Sequence, residues 1–213
     1  MDRRPSSVSS PAEALLSRHT TKGGGGIGGT SGGGTGGQRD GGNAGSGGSS
    51  GAVGAAGDIY IAGTVSGSAM FGTYPVGGLG GLDVFVAKLN NTDGSVAWAT
   101  SFGSTGDHTA SDIAINESGQ LIVSANVAGP LATGGPSFGD GDAALVSYDS
   151  SGSRLWSKVI GTSGTDYGSG VTASSDGSFY ADIDLGANIG PSVEGITISG
   201  APDPTGLLLK MAP

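Results

Sequence analysis

Residues 96–103 read VAWATSFG and residues 154–161 read RLWSKVIG, so a segment centred on a tryptophan occurs twice, 58 residues apart. The same spacing carries Gly106 onto Gly164. Segments that recur at one fixed spacing are typical of tandem repeat proteins, although this spacing is slightly longer than the roughly 20–50 residues usual for them. The chain is therefore predicted to fold as repeated units.

A second recurring segment supports the repeat. Residues 83–89 read DVFVAKL, residues 142–148 read DAALVSY, and residues 206–211 read GLLLKM. Between the first two, residues 121–127 alternate with a period of two, which favours a β-strand with two unequal faces. Asp, Asn, Ser and Gly separate these segments, as they do in the turns of antiparallel hairpins.

The central unit is predicted to have four strands, at about residues 111–116, 120–127, 143–149 and 154–160. Four antiparallel strands repeated in tandem are typical of β-propeller blades. We therefore predict an all-β fold of tandem four-stranded antiparallel blades, which form an incomplete β-propeller of two and a half to three blades. A β-sandwich is the alternative fold.

The predicted repeat domain covers residues 58–213, with a partial blade at about 51–102, a full blade at 110–160 and a partial blade at 169–212. A degenerate first strand is expected at residues 51–53. A closed propeller needs at least about four blades. In this register the array therefore requires self-association or further blades to close.

The chain before the repeat has a different composition. About half of residues 23–57 are glycine, and a Gly/Ser-rich segment of this kind is predicted to be a disordered linker. Residues 1–22 are predicted to be a tail in which residues 11–18 form a short helix, since a serine cap and a proline begin it. The glycines at 24–29 have the spacing of a dinucleotide-binding loop, but no strand precedes them and no helix follows, which favours a linker.

Charge and cysteine content exclude several classes of function. Residues 58–213 contain fifteen acidic and four basic side chains, a net charge of −11, whereas residues 1–57 carry +2. Four scattered bases do not form the basic stripe that nucleic acids require, so nucleic acid is not an expected partner. The absence of cysteine excludes disulfides and a lipid-modified cysteine. No transmembrane segment or secretory signal is recognisable.

Aspartate-rich turns are the candidate metal sites. Asp140, Asp142, Asp182 and Asp184 are weak candidates for calcium binding through their carboxylate oxygens. Aspartate beside glycine is also ordinary turn chemistry, and none of these stretches has the spaced acidic loop with a distal glutamate. Calcium is therefore a minor hypothesis, and no catalytic or cofactor-binding residue is predicted.

Two further features have a structural interpretation. Asp107 and His108 resemble an acid–base pair, but the histidine is predicted to be an ordinary turn residue because no other histidine of the repeat can join it. Trp98 and Trp156 occupy equivalent positions in two units, which favours packing between units over a platform for ligand stacking.

Residues 161–180, GTSGTDYGSGVTASSDGSFY, resemble the bacterial β-propeller repeat known as SBBP, whose units run GGSG-x-DYG-x-GIAVD, then a turn, then NVYVTG. The later DAFVAKL motif of that repeat is matched by residues 83–89, and its W-x-T-x-x-G segment is matched around Trp98. The central unit departs from the pattern at residues 108–110, where Tyr-Gly is expected. The resemblance covers about residues 55–212.

The resemblance implies a propeller-type module of secreted or cell-surface bacterial proteins, and it brings no catalytic residues. The expected function is a non-enzymatic envelope or extracellular repeat protein that binds a protein or glycan ligand or acts as a scaffold. Two alternatives stay open. One is a propeller-type hydrolase or lyase acting on polysaccharide, with Asp112 and Asp166 near the blade-entry loops. The other is a truncated gene fragment without independent function.

Overall fold

In the computed structural model of the chain, every regular element of the described residues is a β-strand, so the predicted all-β class is confirmed. No helix among the described residues is long and apolar enough to cross a membrane. The predicted tail and residues 23–48 of the predicted linker, with the glycines at 24–29, lie outside the described residues, apart from Ala14–Leu15. The structure describes residues 14–15, 49–132, 135–186, 192–193, 196–197 and 205–212.

The described residues form fourteen strands, arranged in three four-stranded antiparallel sheets and one short hairpin. In chain order the strands are β1 (Ala14–Leu15), β2 (Ser50–Val53), β3 (Ile59–Phe71), β4 (Tyr74–Leu89), β5 (Val96–Phe102), β6 (His108–Ile115), β7 (Leu121–Val127), β8 (Asp142–Tyr148), β9 (Arg154–Ile160), β10 (Tyr167–Ala173), β11 (Phe179–Leu185), β12 (Ser192–Val193), β13 (Ile196–Thr197) and β14 (Thr205–Met211).

Each of the first two sheets is a simple meander, in the orders β2-β3-β4-β5 and β6-β7-β8-β9. The third sheet has the order β10-β11-β14-β1, so β1 takes the place that β5 and β9 hold in the other sheets. In that place Ala14 lies opposite Leu209 and Leu15 lies opposite Leu208. Strands β12 and β13 form a separate two-stranded hairpin.

In the amino-terminal part the structure confirms the degenerate strand expected at residues 51–53, and it corrects the carboxyl-terminal bound of the predicted linker and the predicted helix. Residues 50–53 lie within the predicted linker, yet they form β2, the expected degenerate strand, because backbone hydrogen bonds to Ile59–Ala62 order a segment that has few apolar side chains. Ala14–Leu15 lie within the predicted helix at residues 11–18, yet they form a strand. The unpaired edge of β14 supplies the backbone partners that favour an extended conformation at these two residues.

Two apolar clusters join the sheets face to face. The first cluster lies between the first and second sheets, and the second lies between the second and third sheets. Strand β7 contributes to both, since Leu121 and Val123 belong to the first cluster and Ile122 belongs to the second. Alternate residues of a strand point to opposite faces, so the central sheet is buried on both sides. Each fully buried large side chain of this kind stabilises the fold by about 2 kcal/mol.

Four of the tight turns at one end of the sheets, here named the turn end, share one geometry, whereas the β4–β5 turn at residues 90–95 is one residue longer. In the β6–β7 turn the amide of Asn116 donates to the carbonyl of Gln120 at 3.0 Å, and Gly119 adopts a φ of 82°. The β8–β9 and β10–β11 turns repeat this arrangement over residues 149–153 and 174–178. These turns agree with the predicted Asp, Asn, Ser and Gly turn signals.

The connections at the opposite end, here named the loop end, differ between units. In the first sheet β3 and β4 continue beyond the sheet into an arm, residues 66–82. Phe85 pairs with Gly63 in the sheet, yet the Phe71 ring lies 4.8 Å from the Phe85 ring, so the arm folds back over the sheet. The positive φ of Gly77, 77°, permits this bend. In the second unit the connection is irregular and buries Leu131 in the first cluster.

Candidate functional site at the inter-sheet junctions

The loop end contains two equivalent junctions, each built around a buried aspartate at or near the start of the third strand of its sheet. Oδ2 of Asp83 accepts a hydrogen bond from the Leu79 amide at 2.9 Å. Oδ2 of Asp142 accepts from the Phe138 amide at 3.0 Å and from the Ser137 hydroxyl at 3.2 Å. Both aspartates are 0% exposed. Each carboxylate therefore binds backbone or side-chain donors of the segment that leads into its own strand. This gives the recurring aspartate a structural role.

A glycine lies against the second oxygen of each aspartate. A Cβ at Gly103 would be 2.0 Å from Oδ1 of Asp83, and a Cβ at Gly161 would be 1.9 Å from Oδ1 of Asp142. Neither oxygen has a hydrogen-bond donor among the described residues. Close approach of a carboxylate oxygen to a glycine Cα allows only weak Cα–H···O contacts. Any larger residue at either glycine would displace the carboxylate.

His108 completes the first junction from β6, so the prediction of a turn residue is wrong. Its side chain is buried, with Nε2 2.8 Å from the Ser104 hydroxyl and with Nδ1 unpartnered among the described residues. Burial lowers the pKa of His108, whereas the charges of Asp83 and Asp107 act in the opposite direction. Oδ1 of Asp107 accepts from the Leu82 amide at 2.9 Å, so that carboxylate helps to hold the arm.

Asp166 takes the place of His108 at the second junction, 58 residues later in the chain. Its Oδ2 accepts from the Thr162 amide at 2.6 Å and its Oδ1 accepts from the Gly186 amide at 2.8 Å. The Thr162 hydroxyl lies 3.0 and 3.1 Å from the two oxygens. These donors surround a carboxylate that is 1% exposed.

The second junction therefore brings two buried carboxylates together. The position of a Cβ on Gly161 is 1.9 Å from Oδ1 of Asp142 and 3.1 Å from Oδ2 of Asp166, so both groups lie against one glycine. Burial raises the pKa of Asp142, hydrogen bonds from Phe138 and Ser137 oppose this shift, and the charge of Asp166 adds to it. Sequence reasoning missed this pair as a unit, although the 58-residue offset between His108 and Asp166 was visible.

The four predicted calcium ligands lie in separate places. Asp142 is buried at the second junction, and Asp140 is exposed in the connection before it. Asp182 and Asp184 are exposed on β11, where the Ser169 hydroxyl donates to Asp184 at 2.7 Å. In the part of the chain that the structure describes, no group of three or more His, Cys, Asp or Glu residues is placed to hold a metal ion. Calcium binding stays a prediction.

The tryptophans pack between sheets, as predicted. Trp98 is 9% exposed, and its Nε1 donates to the carbonyl of Ser150 in the second sheet at 3.1 Å. Its ring also lies against Gly152, where a Cβ would be 2.7 Å from the indole. Trp156 is partly buried against the second cluster.

Asp112, one of the two acids considered for a polysaccharide-cleaving enzyme, joins the first strands of all three sheets. Its Oδ1 accepts from the Ser50 hydroxyl at 2.6 Å, and its Oδ2 accepts from the Val171 amide at 3.0 Å. The other acid, Asp166, is engaged by the donors of the second junction. The Asp112 carboxylate therefore joins three sheets, whereas the Asp166 carboxylate joins the connection before β10 to the end of β11.

No protein-family model matches the chain, and no curated protein shows significant similarity to it. Within the chain, the two junctions occupy equivalent positions of the repeat, and His108 of the first corresponds to Asp166 of the second.

Proposed function

We propose that the three sheets are consecutive blades of a β-propeller of the bacterial type that residues 161–180 resemble. We further propose that the protein is a non-enzymatic binding or scaffold module of the bacterial envelope or the extracellular space. The sequence resemblance supports both points. The packing of the sheets agrees with them, since β6 contacts both β2 and β10, as the first strands of neighbouring blades do around a propeller axis.

The observation that carries the proposal is the contrast between the two ends of the sheets. The turn end repeats one tight geometry in four of its turns, and the β4–β5 turn there is longer by one residue. The loop end carries a folded arm in one unit, an irregular connection in the next, and the β12–β13 hairpin in the third. In a repeat scaffold, the segments that differ between units are the ones free to acquire specificity for a ligand. We place the ligand contact at the loop end.

The arm presents apolar side chains to solvent. Met70 is 62% exposed and Leu79 is 42% exposed, while the neighbouring Val76 is 2% exposed and anchors the arm. An anchored segment with exposed apolar side chains provides a preorganised contact for an apolar patch of a protein or for the face of a sugar ring. At the turn end, Val53 is 67% exposed on a tight hairpin and provides a matched comparison.

Binding to purified envelope proteins and envelope polysaccharides, measured by interferometry, tests the proposal. Met70→Ser and Leu79→Ser are expected to weaken binding about tenfold, which corresponds to about 1.4 kcal/mol. Val53→Ser is expected to leave binding unchanged. Equal loss in all three variants, or native protein found solely in the cytosol, would contradict the proposal. Release of new reducing ends from a bound polysaccharide would favour the hydrolase or lyase alternative.

A further inference from the structure

One face of the third sheet has no sheet packed against it among the described residues. The other face lies on the second cluster, where Ala181 and Ile183 of β11 are buried. Asp182 and Asp184 alternate with these residues and are exposed, so they point to the unpacked face, here named the open face. In the first and second sheets the corresponding face is covered by the next sheet along the chain.

One hydrogen bond recurs at both covered faces. Thr64 and Asn126 have the same position in the second strand of their sheets, one residue before the residue that pairs with the junction aspartate. Oγ1 of Thr64 accepts from the Ala110 amide at 3.1 Å, and Oδ1 of Asn126 accepts from the Gly168 amide at 2.8 Å. Both amides belong to the first strand of the following sheet. A side-chain acceptor on the second strand therefore joins each sheet to the next.

Asp184 has this position in the third sheet. It lies 58 residues after Asn126, and it pairs with Gly206 as Asn126 pairs with Ala143. Within the described part of the chain, Asp184 accepts from the Ser169 hydroxyl of its own sheet at 2.7 Å, and no amide of another sheet donates to it. A carboxylate has further lone-pair sites. Asp184 is therefore an acceptor of the inter-sheet type that has not met an inter-sheet donor.

Large apolar side chains are exposed on the open face and on the outer face of the first sheet. Tyr167 lies opposite Asp184 on the open face and is 51% exposed. Ile59 is 41% exposed and alternates with Tyr60, which belongs to the first cluster, so Ile59 lies on the outer face. Its counterpart in the second sheet, Leu121, is buried against the first sheet. Exposed apolar groups at positions that the repeat otherwise buries indicate an interaction surface.

The contacts between sheets show which strand would cover the open face. Strand β6 contacts β2, β3 and β4, and β10 contacts β6, β7 and β8. The first strand of each sheet therefore packs across the sheet before it, and β2 is the first strand of the first sheet. The arm leaves β2 accessible, because its hydrogen bonds go to β5 at the opposite edge. There the Tyr74 hydroxyl donates to the Ala97 carbonyl at 2.5 Å, and the Gly77 amide donates to the Ser101 hydroxyl at 3.0 Å.

The number of sheets limits how many copies can form a closed ring. Closed propellers typically have about four to eight blades. One chain supplies three four-stranded sheets, so two copies supply six, within this range, and three copies supply nine, outside it.

We propose that two copies of this chain close into a ring of six sheets. In this ring β2 of each copy packs against the open face of the other copy, and an amide at the start of β2 donates to Asp184. The inference rests on the proposed propeller arrangement and adds its partner, a second copy of the chain. The contact joins two different faces and occurs twice, so the ring leaves neither face uncovered.

Sedimentation velocity of the full chain tests the proposal. The wild-type protein is expected to have twice the 20.3 kDa mass of one chain. Asp184→Lys replaces the acceptor with a cation and should raise the Kd of the dimer about tenfold or more. Tyr167→Ser removes an aromatic contact and should raise the Kd by a similar factor.

Two further variants separate the proposed contact from a general effect of charge or folding. Asp184→Asn reproduces the amide acceptor of Asn126 and should keep the Kd of the wild type. Glu117→Lys makes the same charge change as Asp184→Lys on an exposed turn of the second sheet and should also leave the Kd unchanged.

Three results would overturn the proposal. They are a wild-type protein that sediments as a single chain at micromolar concentrations, oligomers that grow with concentration, and an equal rise of the Kd in Asp184→Lys and Glu117→Lys. A single chain that still binds an envelope protein or polysaccharide would overturn this inference and leave the proposed binding function intact. A dimer that binds neither would support this inference and contradict that function.

Discussion

The two inter-sheet junctions are nearly the same in packing and differ in charge. Each has a buried aspartate that closes a connection and a glycine against its free oxygen. The first junction adds His108, held by Ser104, and the second adds Asp166, held by Thr162. Both junctions therefore keep the same close contact between a buried aspartate and a glycine, here named the steric frame, whereas the position next to it is a histidine in the first junction and an aspartate in the second.

The largest expected effect tests whether the frame is shared. In Gly161→Ala and in Gly103→Ala the added methyl would be 1.9 and 2.0 Å from a buried carboxylate oxygen. Overpacking of this kind should lower the free energy of unfolding by about 3 kcal/mol in both variants. Chemical denaturation measures this change.

Gly170→Ala is the control for these two variants, because its Cβ would make an ordinary 3.7 Å contact with Asp112. Its expected effect is within about 0.5 kcal/mol. If Gly161→Ala and Gly103→Ala lowered the free energy of unfolding by very different amounts, the two glycines would not be under the same steric constraint.

The next prediction converts the first junction into a copy of the second. His108→Asp places two carboxylates beside Gly103, with Ser104 available to donate as Thr162 does. We expect the free energy of unfolding to fall by about 2 kcal/mol at neutral pH, because two buried like charges are disfavoured. Part of this loss should return near pH 4.5. A variant that is equally destabilised at both pH values would indicate a packing defect alone.

Removing the Thr162 hydroxyl and the Ser104 hydroxyl should lower the free energy of unfolding by different amounts. Thr162→Val deletes a donor to a buried carboxylate and should cost about 2 kcal/mol, since hydrogen bonds to charged groups are the stronger class. Ser104→Ala deletes one hydrogen bond to an imidazole and should cost about 1 kcal/mol. Equal losses in thermal unfolding would show that the charge of Asp166 contributes nothing to its hydrogen bonds.

The smallest effect concerns the pH dependence of the first junction. Burial lowers the pKa of His108 from its ordinary value of 6.5, so the unfolded state binds the proton first. Stability is therefore lost as the pH falls below about 6.5 through the folded pKa. We expect a decrease in melting temperature of about 3 °C between about pH 7 and about pH 5, which is absent in His108→Gln. An equal decrease in melting temperature in His108→Gln and in the wild-type protein would contradict the prediction.

Much of the fold could be predicted from local sequence patterns. The four strands of the central unit, at residues 108–115, 121–127, 142–148 and 154–160, agree with the expected ranges to within a few residues. Alternation and turn residues are local signals, and the 58-residue offset can be read from the sequence directly. These features were therefore enough to predict the strands and the repeat. Packing of Trp98 between units was also predictable, since its recurrence at one position marks a contact made by each unit.

The rest depended on distant parts of the chain. Strand β2 was expected only as a degenerate segment, because its order comes from pairing with β3 rather than from its own side chains. The arm at residues 66–82 could not be predicted from the local sequence, because the contact of Phe71 with Phe85 depends on the direction in which the chain returns. His108 was predicted to be a turn residue for the same reason, since local sequence does not reveal what covers a side chain.

Composition and periodicity are properties of the chain alone, and they are enough to predict the all-β class, the repeat and the net charge of −11 for residues 58–213. They do not reveal that Asp142 and Asp166 lie against one glycine, or that Oδ1 of Asp142 has no donor among the described residues, since both facts depend on the folded chain. The physical reason is that burial and hydrogen bonding depend on which segments meet in space. The ionisation of a carboxylate responds to those neighbours and not to its place in the sequence.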